Sequence, residues 1–154
     1  MKNQTCCFSG HRDIPPAHRA PLEQTLTEEI AKLISRGVTC FVTGGALGFD
    51  TLAAQSVLSL QAAHPHIKLL LILPCKNQTR NWSSSDIEAY NQIKARAAKY
   101  IYTSEDYHRG CMHVRNRKMV DISAYLIAYR RKNSGGTAYT VQYAEEQNLQ
   151  IIQI

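Results

Sequence analysis

Several stretches of this chain carry groups that can hold an anion. The run Thr43-Gly44-Gly45-Ala46-Leu47-Gly48-Phe49-Asp50 sets glycines between an apolar, β-branched segment and a segment of helical periodicity. Without a Cβ, Gly44, Gly45 and Gly48 let a ligand approach the backbone and permit positive φ. A helix starting there adds the positive end of its dipole. Gly44, Gly45, Ala46 and Gly48 are therefore expected to floor a phosphate or nucleotide site; the alternative is a tight strand–helix turn that holds no ligand. Ser134-Gly135-Gly136-Thr137 repeats the arrangement before a second helix, with Thr137 a candidate N-cap.

Around these turns stand single residues with complementary chemistry. Arg12 and Arg115 can grip a phosphate through the guanidinium fork, or serve as surface ion pairs. Gly10 and His11 follow a first apolar run; His11 either meets a ligand or closes the strand end. Gln78 and Trp82, the only tryptophan, share a polar loop. Trp82 can stack on a base or simply pack. Asn116 can read a base edge or hold a loop. Asp50 falls in a first helical turn, where it can bond a ribose hydroxyl or act as general acid or base. Its bland role there is to offset the helix dipole, worth about 0.3–1 kcal/mol. Asp50 and Arg115 are the catalytic candidates, if there is catalysis.

The elements that must position these groups follow from periodicity. Apolar runs at 5–9, 38–42, 67–73, 100–103, 124–129 and 149–152 read as strands. Leu22, Leu26, Ile30, Leu33 and Ile34 mark one helix face, with Gly37 as its C-cap, and Pro15-Pro16 is expected to exclude regular structure. Leu52, Ala53, Ala54, Val57 and Leu58 mark a second helix. Further helices are expected from Ser85 or Asp86 to about Ala98, over 112–121, and over 138–147. Such alternation implies a three-layer α/β/α, Rossmann-like domain spanning 1–154, with a mostly parallel sheet of about six strands in the order 3-2-1-4-5-6. Ligands of such sheets sit beyond the carboxyl ends of the strands. The loops carrying Gly10-His11-Arg12, the central glycines, Gln78 with Trp82, and Gly135-Gly136 are all expected to open on that edge.

Composition narrows the function classes. The chain has 154 residues, 44% of them hydrophobic and 19% charged, with a formal charge of +6. That is one globular domain whose charge favours anionic partners, either phosphate-bearing small molecules or nucleic acid. The basic run Arg130-Arg131-Lys132 is expected to be a solvated face. Five cysteines without a C-x-x-C pair read as free thiols in a reducing cytoplasm. No ligand-spaced Cys/His cluster calls for a metal, no cofactor is implied, and no apolar run suggests a membrane span or a signal peptide.

Taken in order, these motifs resemble the SLOG superfamily, named from the Smf/DprA DNA-processing proteins and the LOG phosphoribohydrolases, and within it the YpsA-like family. The resemblance rests on Ser9-Gly10-His11-Arg12, on 43–50, on Gln78 and Trp82, on Arg115-Asn116 and on Ser134-Gly135-Gly136-Thr137. Met112-His113-Val114-Arg115 is similar to the LOG segment whose arginine helps cleave a nucleoside monophosphate at its N-glycosidic bond. Where LOG enzymes carry a glutamate after their second glycine motif, this chain has Val141 and Gln142. Ser134-Gly135, Thr140 and Ala144 are similar to a DprA segment, which implies single-stranded DNA binding. Tyr100, Tyr102, Tyr107 and Trp82 can stack on bases in that case, or pack. The resemblance, together with the two glycine turns, Arg12, Arg115 and a stacking role for Trp82 but no assembled catalytic set, implies a domain that binds or senses a nucleotide-derived ligand such as a nucleoside phosphate or an ADP-ribose-like molecule. Its alternatives are a nucleotide N-glycosidase and a single-strand DNA binder. It also implies self-association into a homo-oligomer.

Overall fold

The computed structural model describes residues 1–154. Six strands and five helices alternate: β1 Thr5–Gly10, α1 Pro16–Ser35, β2 Cys40–Thr43, α2 Phe49–Leu60, β3 Lys68–Leu73, α3 Ser84–Arg96, β4 Lys99–Tyr102, α4 Cys111–Asp121, β5 Tyr125–Tyr129, α5 Gly136–Glu146 and β6 Gln150–Gln153. A short 3-10 turn, Lys2–Gln4, precedes them. Every strand pairing is parallel, and the sheet order is β4-β3-β2-β1-β5-β6.

The expected 3-2-1 run and the reversal beside β1 are both present. The fourth strand extends the β3 side, and β5 takes the place next to β1. Burial accounts for this. In β4, Lys99 and Tyr100 are exposed, which suits an edge, whereas Leu126 to Tyr129 of β5 are buried, which a central strand requires.

Strand residues divide between two cores with period two. Cys6, Phe8, Phe41, Leu69, Leu71, Ile127 and Tyr129 pack against α1, α2 and α3. Cys7, Val42, Ile72, Leu126 and Ala128 pack with Met119, Val120, Val141 and Ala144 of α4 and α5. Three successive crossovers thus cover one face. The chain then passes from β4 to β5 and covers the other, which is the right-handed crossover rule applied twice in opposite directions.

Pro15 and Pro16 do not keep α1 from starting. Pro16 opens the helix, at a position whose N–H would be unpaired anyway, and Pro21 lies inside its first turns. At the other end Arg36 is the C-cap, and Gly37 follows at φ +100. Ser83, slightly earlier than the sequence suggests, caps α3 by accepting from the Asp86 amide at 3.2 Å.

Candidate functional site

Loops leaving adjacent strands in opposite directions open a crevice between β1 and β5. A cavity of about 340 Å³ lies there. Its walls come from every loop at that edge that the sequence singles out. Gly10, His11 and Arg12 follow β1; Ala46 and Asp50 follow β2; Gln78 and Trp82 follow β3; Gly135, Gly136 and Thr137 follow β5. Helix α4 contributes Met112, Arg115, Asn116 and Met119, spaced to share one helix face.

The feature whose geometry best suits an anion is the start of α5. Gly135 is its N-cap at φ +96, a conformation that favours glycine, and no side chain caps the helix. The first amide of this turn to find a backbone acceptor is Tyr139 N–H, which donates to Gly135 O at 3.0 Å. The amides of Gly136, Thr137 and Ala138 are left to point outward from the helix end. Thr137 sits inside the helix and is buried, so it does not act as the cap. Arg12 and Lys132, both exposed, stand on the rim. Lys132 belongs to the basic run expected to be a solvated face. Its closeness to the Ser134-Gly135-Gly136 turn is the signal that places it at the site.

The central glycine turn does different work. Gly44, Gly45 and Gly48 lie behind the cavity wall rather than on it. Gly44 O accepts from Gln78 Nε2 at 3.2 Å and from Arg115 Nη1. A side chain on Gly45 would run into Leu73, and one on Gly48 into the backbone of Arg12. Of this turn only Ala46 reaches the cavity, and its N–H already donates to Asp50 Oδ2 at 3.2 Å. The turn is a close-packed junction between the β1 and β2 loops. Phe49 N–H donates to His11 O at 3.1 Å, and Gly10 leaves room for the Phe49 ring.

Asp50 and Arg115 are both buried and face each other's field without a direct ion pair. Burial pushes the Asp50 pKa up, while Arg115 and the Ala46 and Gly44 amides pull it back in part. Arg115 is spread over internal partners: Gly44 O, the Met112 sulfur at 3.6 Å, and Asn116 Oδ1, to which Nε donates at 2.7 Å. Its guanidinium braces the wall more than it reaches across the cavity. His11 Nε2 accepts from Arg131 N–H at 2.7 Å, which puts the ring proton on Nδ1. Burial, then the charges of Lys132 and Arg131, lower the His11 pKa and favour that neutral form. Trp82 is half-buried, edge-on to Tyr90 at 5.5 Å, and walls the cavity with its remaining surface. Gln78 Oε1 is buried without a partner. No group of three or more His, Cys, Asp or Glu side chains is gathered as a metal would require.

Comparison with known proteins adds the lineage. The YspA SLOG family model matches residues 16–154. This chain belongs to the YspA SLOG family. A UPF0398 protein of Halalkalibacterium halodurans is 27% identical over 133 residues, spanning 84% of this chain and 70% of that protein. The uncharacterized SPbeta prophage-derived protein YoqJ of Bacillus subtilis is 31% identical over 118 residues, 69% of each chain. Among solved structures, DNA processing protein A of Helicobacter pylori, described for its single-stranded DNA binding mode, superposes with a TM-score of 0.71 at 21% identity. The match covers 99% of this chain and 65% of that one, and establishes a common fold.

Within the YspA SLOG fold, this member has one acidic side chain on the cavity wall, Asp50. Val141 is buried in the α4–α5 core and Gln142 is exposed, so α5 brings no carboxylate to the cavity. No helix is long and apolar enough to cross a membrane.

Proposed function

We propose that the cavity binds a phosphate-bearing, nucleotide-derived ligand, a nucleoside phosphate or an ADP-ribose-like molecule, and that the domain acts as a binding or sensing module. One observation carries this reading: the uncapped start of α5, with three outward amides, opens on a cavity rimmed by Arg12 and Lys132. Backbone donors, a helix dipole and two cations converge on one place, and this combination favours a phosphate group. The volume is that of a small-molecule site. Trp82, with Met112 and Met119, supplies apolar wall for a base or ribose.

Binding is favoured over hydrolysis by the state of Asp50. An oxocarbenium-like transition state needs an available carboxylate. The single candidate is buried and holds the Ala46 amide. Calorimetric titration with a panel of nucleoside phosphates, followed by chromatography of the mixtures, tests both halves. The expected result is saturable binding with intact ligand, weakened by Arg12→Ala. No heat at millimolar ligand would remove the binding reading, and release of free base would convert the module into a hydrolase.

A second reading is favoured by the single-stranded DNA binding described for the fold neighbour and by the net charge of +6: the cavity receives a nucleotide of single-stranded DNA. Its mark is oligonucleotide binding that weakens steeply with salt, because phosphate contacts release counterions.

A further inference from the structure

Outside the cavity, aromatic and cationic side chains gather beside the edge strand β4. Tyr100 and Tyr102 point to the same face of that strand. Lys94, from the last turn of α3, sits between them, its Nζ 4.7 Å from the Tyr100 ring centre and 5.5 Å from that of Tyr102. The same Nζ donates to Tyr102 Oη at 2.9 Å. In the loop after β4, the Tyr107 ring lies 5.8 Å from Arg80 of the β3–α3 loop. Tyr100 and Tyr107 are 44% and 51% exposed, and with Met1 and Val114 they are the large apolar side chains that the fold leaves uncovered. No strand lies beyond β4.

This face is joined to the cavity by one loop. Between β3 and α3, Gln78 and Trp82 line the cavity, while Lys76 and Arg80 lean the other way onto Tyr102 and Tyr107. The loop is fastened to the one after β4: Asn77 Oδ1 accepts from Tyr107 N–H at 2.9 Å, and Lys76 N–H donates to Glu105 O at 3.0 Å. Two acidic residues, Glu105 and Asp106, lie in that second loop, and Glu105 pairs with Lys76 at 3.0 Å. Arg80 and Lys94 have no carboxylate partner.

We propose that the Tyr100–Lys94–Arg80–Tyr107 face takes the bases and phosphates of a single-stranded nucleic acid, one nucleotide of which occupies the cavity beyond Trp82. Exposed rings, each beside a cation that has no carboxylate partner, form the combination that binds single strands without sequence preference, bases on the rings and phosphates on the cations. Within this chain neither Lys94 nor Arg80 has an acid to receive it, and a phosphodiester backbone brings one negative charge per nucleotide. The proposal rests on the cavity taking a nucleotide and extends that site along the β3–α3 loop.

The test is fluorescence anisotropy with oligothymidylates from one to about eight nucleotides, and a matching oligouridylate series to separate DNA from RNA. Affinity is expected to climb with length. The double variant Tyr100→Ala/Tyr107→Ala should lose on the order of tenfold per ring on the longest oligomer and leave mononucleotide binding unchanged. Tyr100→Phe/Tyr107→Phe keeps the rings and should keep the length dependence; both variants change only exposed side chains, and thermal melting checks that they fold. A length-independent affinity, or an Ala variant with the wild-type curve, overturns the proposal. So does an Ala variant whose only change is weaker self-association in sedimentation, which would make the face a contact between copies. Long oligomers that bind through the rings while the mononucleotide does not would sustain the edge face and remove the cavity reading instead.

Discussion

Arg115 Nε donates to Asn116 Oδ1 at 2.7 Å, between consecutive residues of α4. A guanidinium nitrogen can only donate, so this contact fixes which way the Asn116 amide faces. Its amino group is left with two donors for the cavity that Asn116 lines. Asn116→Asp keeps the shape and turns those donors into a carboxylate oxygen. Loss of a hydrogen bond to a charged group costs about 1.5–3 kcal/mol, so nucleoside monophosphate affinity should fall roughly ten- to hundredfold. Asn116→Ala should lose less. Equal losses in calorimetry would mean that Asn116 only fills space.

Two classes of glycine should separate on substitution. An alanine at Gly10 meets the Phe49 ring, and one at Gly48, where φ is +76, meets the Arg12 backbone. Each should destabilise the fold by about 1–3 kcal/mol in denaturant melts. Gly136 has open space around it. Gly136→Ala should stay within about 0.5 kcal/mol of wild type while weakening phosphate binding, since the methyl crowds the amides at the start of α5.

That contrast shows what the sequence could and could not reveal. Periodicity located all six strands and five helices because both cores are built from strict alternation, as Phe8 and Cys7 show on opposite faces of β1. It also placed the loops after β1, β2, β3 and β5 on one edge, since the carboxyl edge of a parallel sheet is where such loops must meet. It could not separate the two glycine turns. Gly44, Gly45 and Gly48 serve chain-to-chain packing with partners as distant in sequence as Arg115, and no local pattern encodes those contacts. Lys132 was masked by its basic neighbours, and the edge position of β4 depends on which crossover follows it.

Asp50 should make stability pH-dependent in a defined direction. Burial raises its folded pKa above the ordinary 3.8. Between those two values the native state keeps a proton that the unfolded chain has released, so stability falls as pH rises through the window, and the cost is complete above it. Asp50→Asn preserves an acceptor for Ala46 and has no charge to desolvate. Relative to wild type it should gain stability as pH rises above the ordinary 3.8, by about 1.4 kcal/mol for every pH unit that separates the folded and unfolded pKa values. A variant-minus-wild-type difference in melting that is flat across this range, or reversed, would contradict the assignment.

The thiols should report the same core. Cys6, Cys7, Cys75 and Cys111 are buried, and Cys40 is half-buried. Burial pushes the Cys7 pKa up to about 12 and that of Cys6 well above its ordinary value. With a disulfide reagent at mildly alkaline pH, Cys40 should react first and the four buried thiols only on unfolding. Prompt reaction of all of them would mean that β1 is not the central strand described.

The most direct measurement is an amide-resolved NMR titration with a nucleoside monophosphate. Binding at the start of α5 predicts that the amide signals of Gly136, Thr137 and Ala138 move furthest and saturate together, with Asn116 side-chain signals following. Saturation that leaves these three amides in place, with shifts confined to other parts of the chain, would contradict the account.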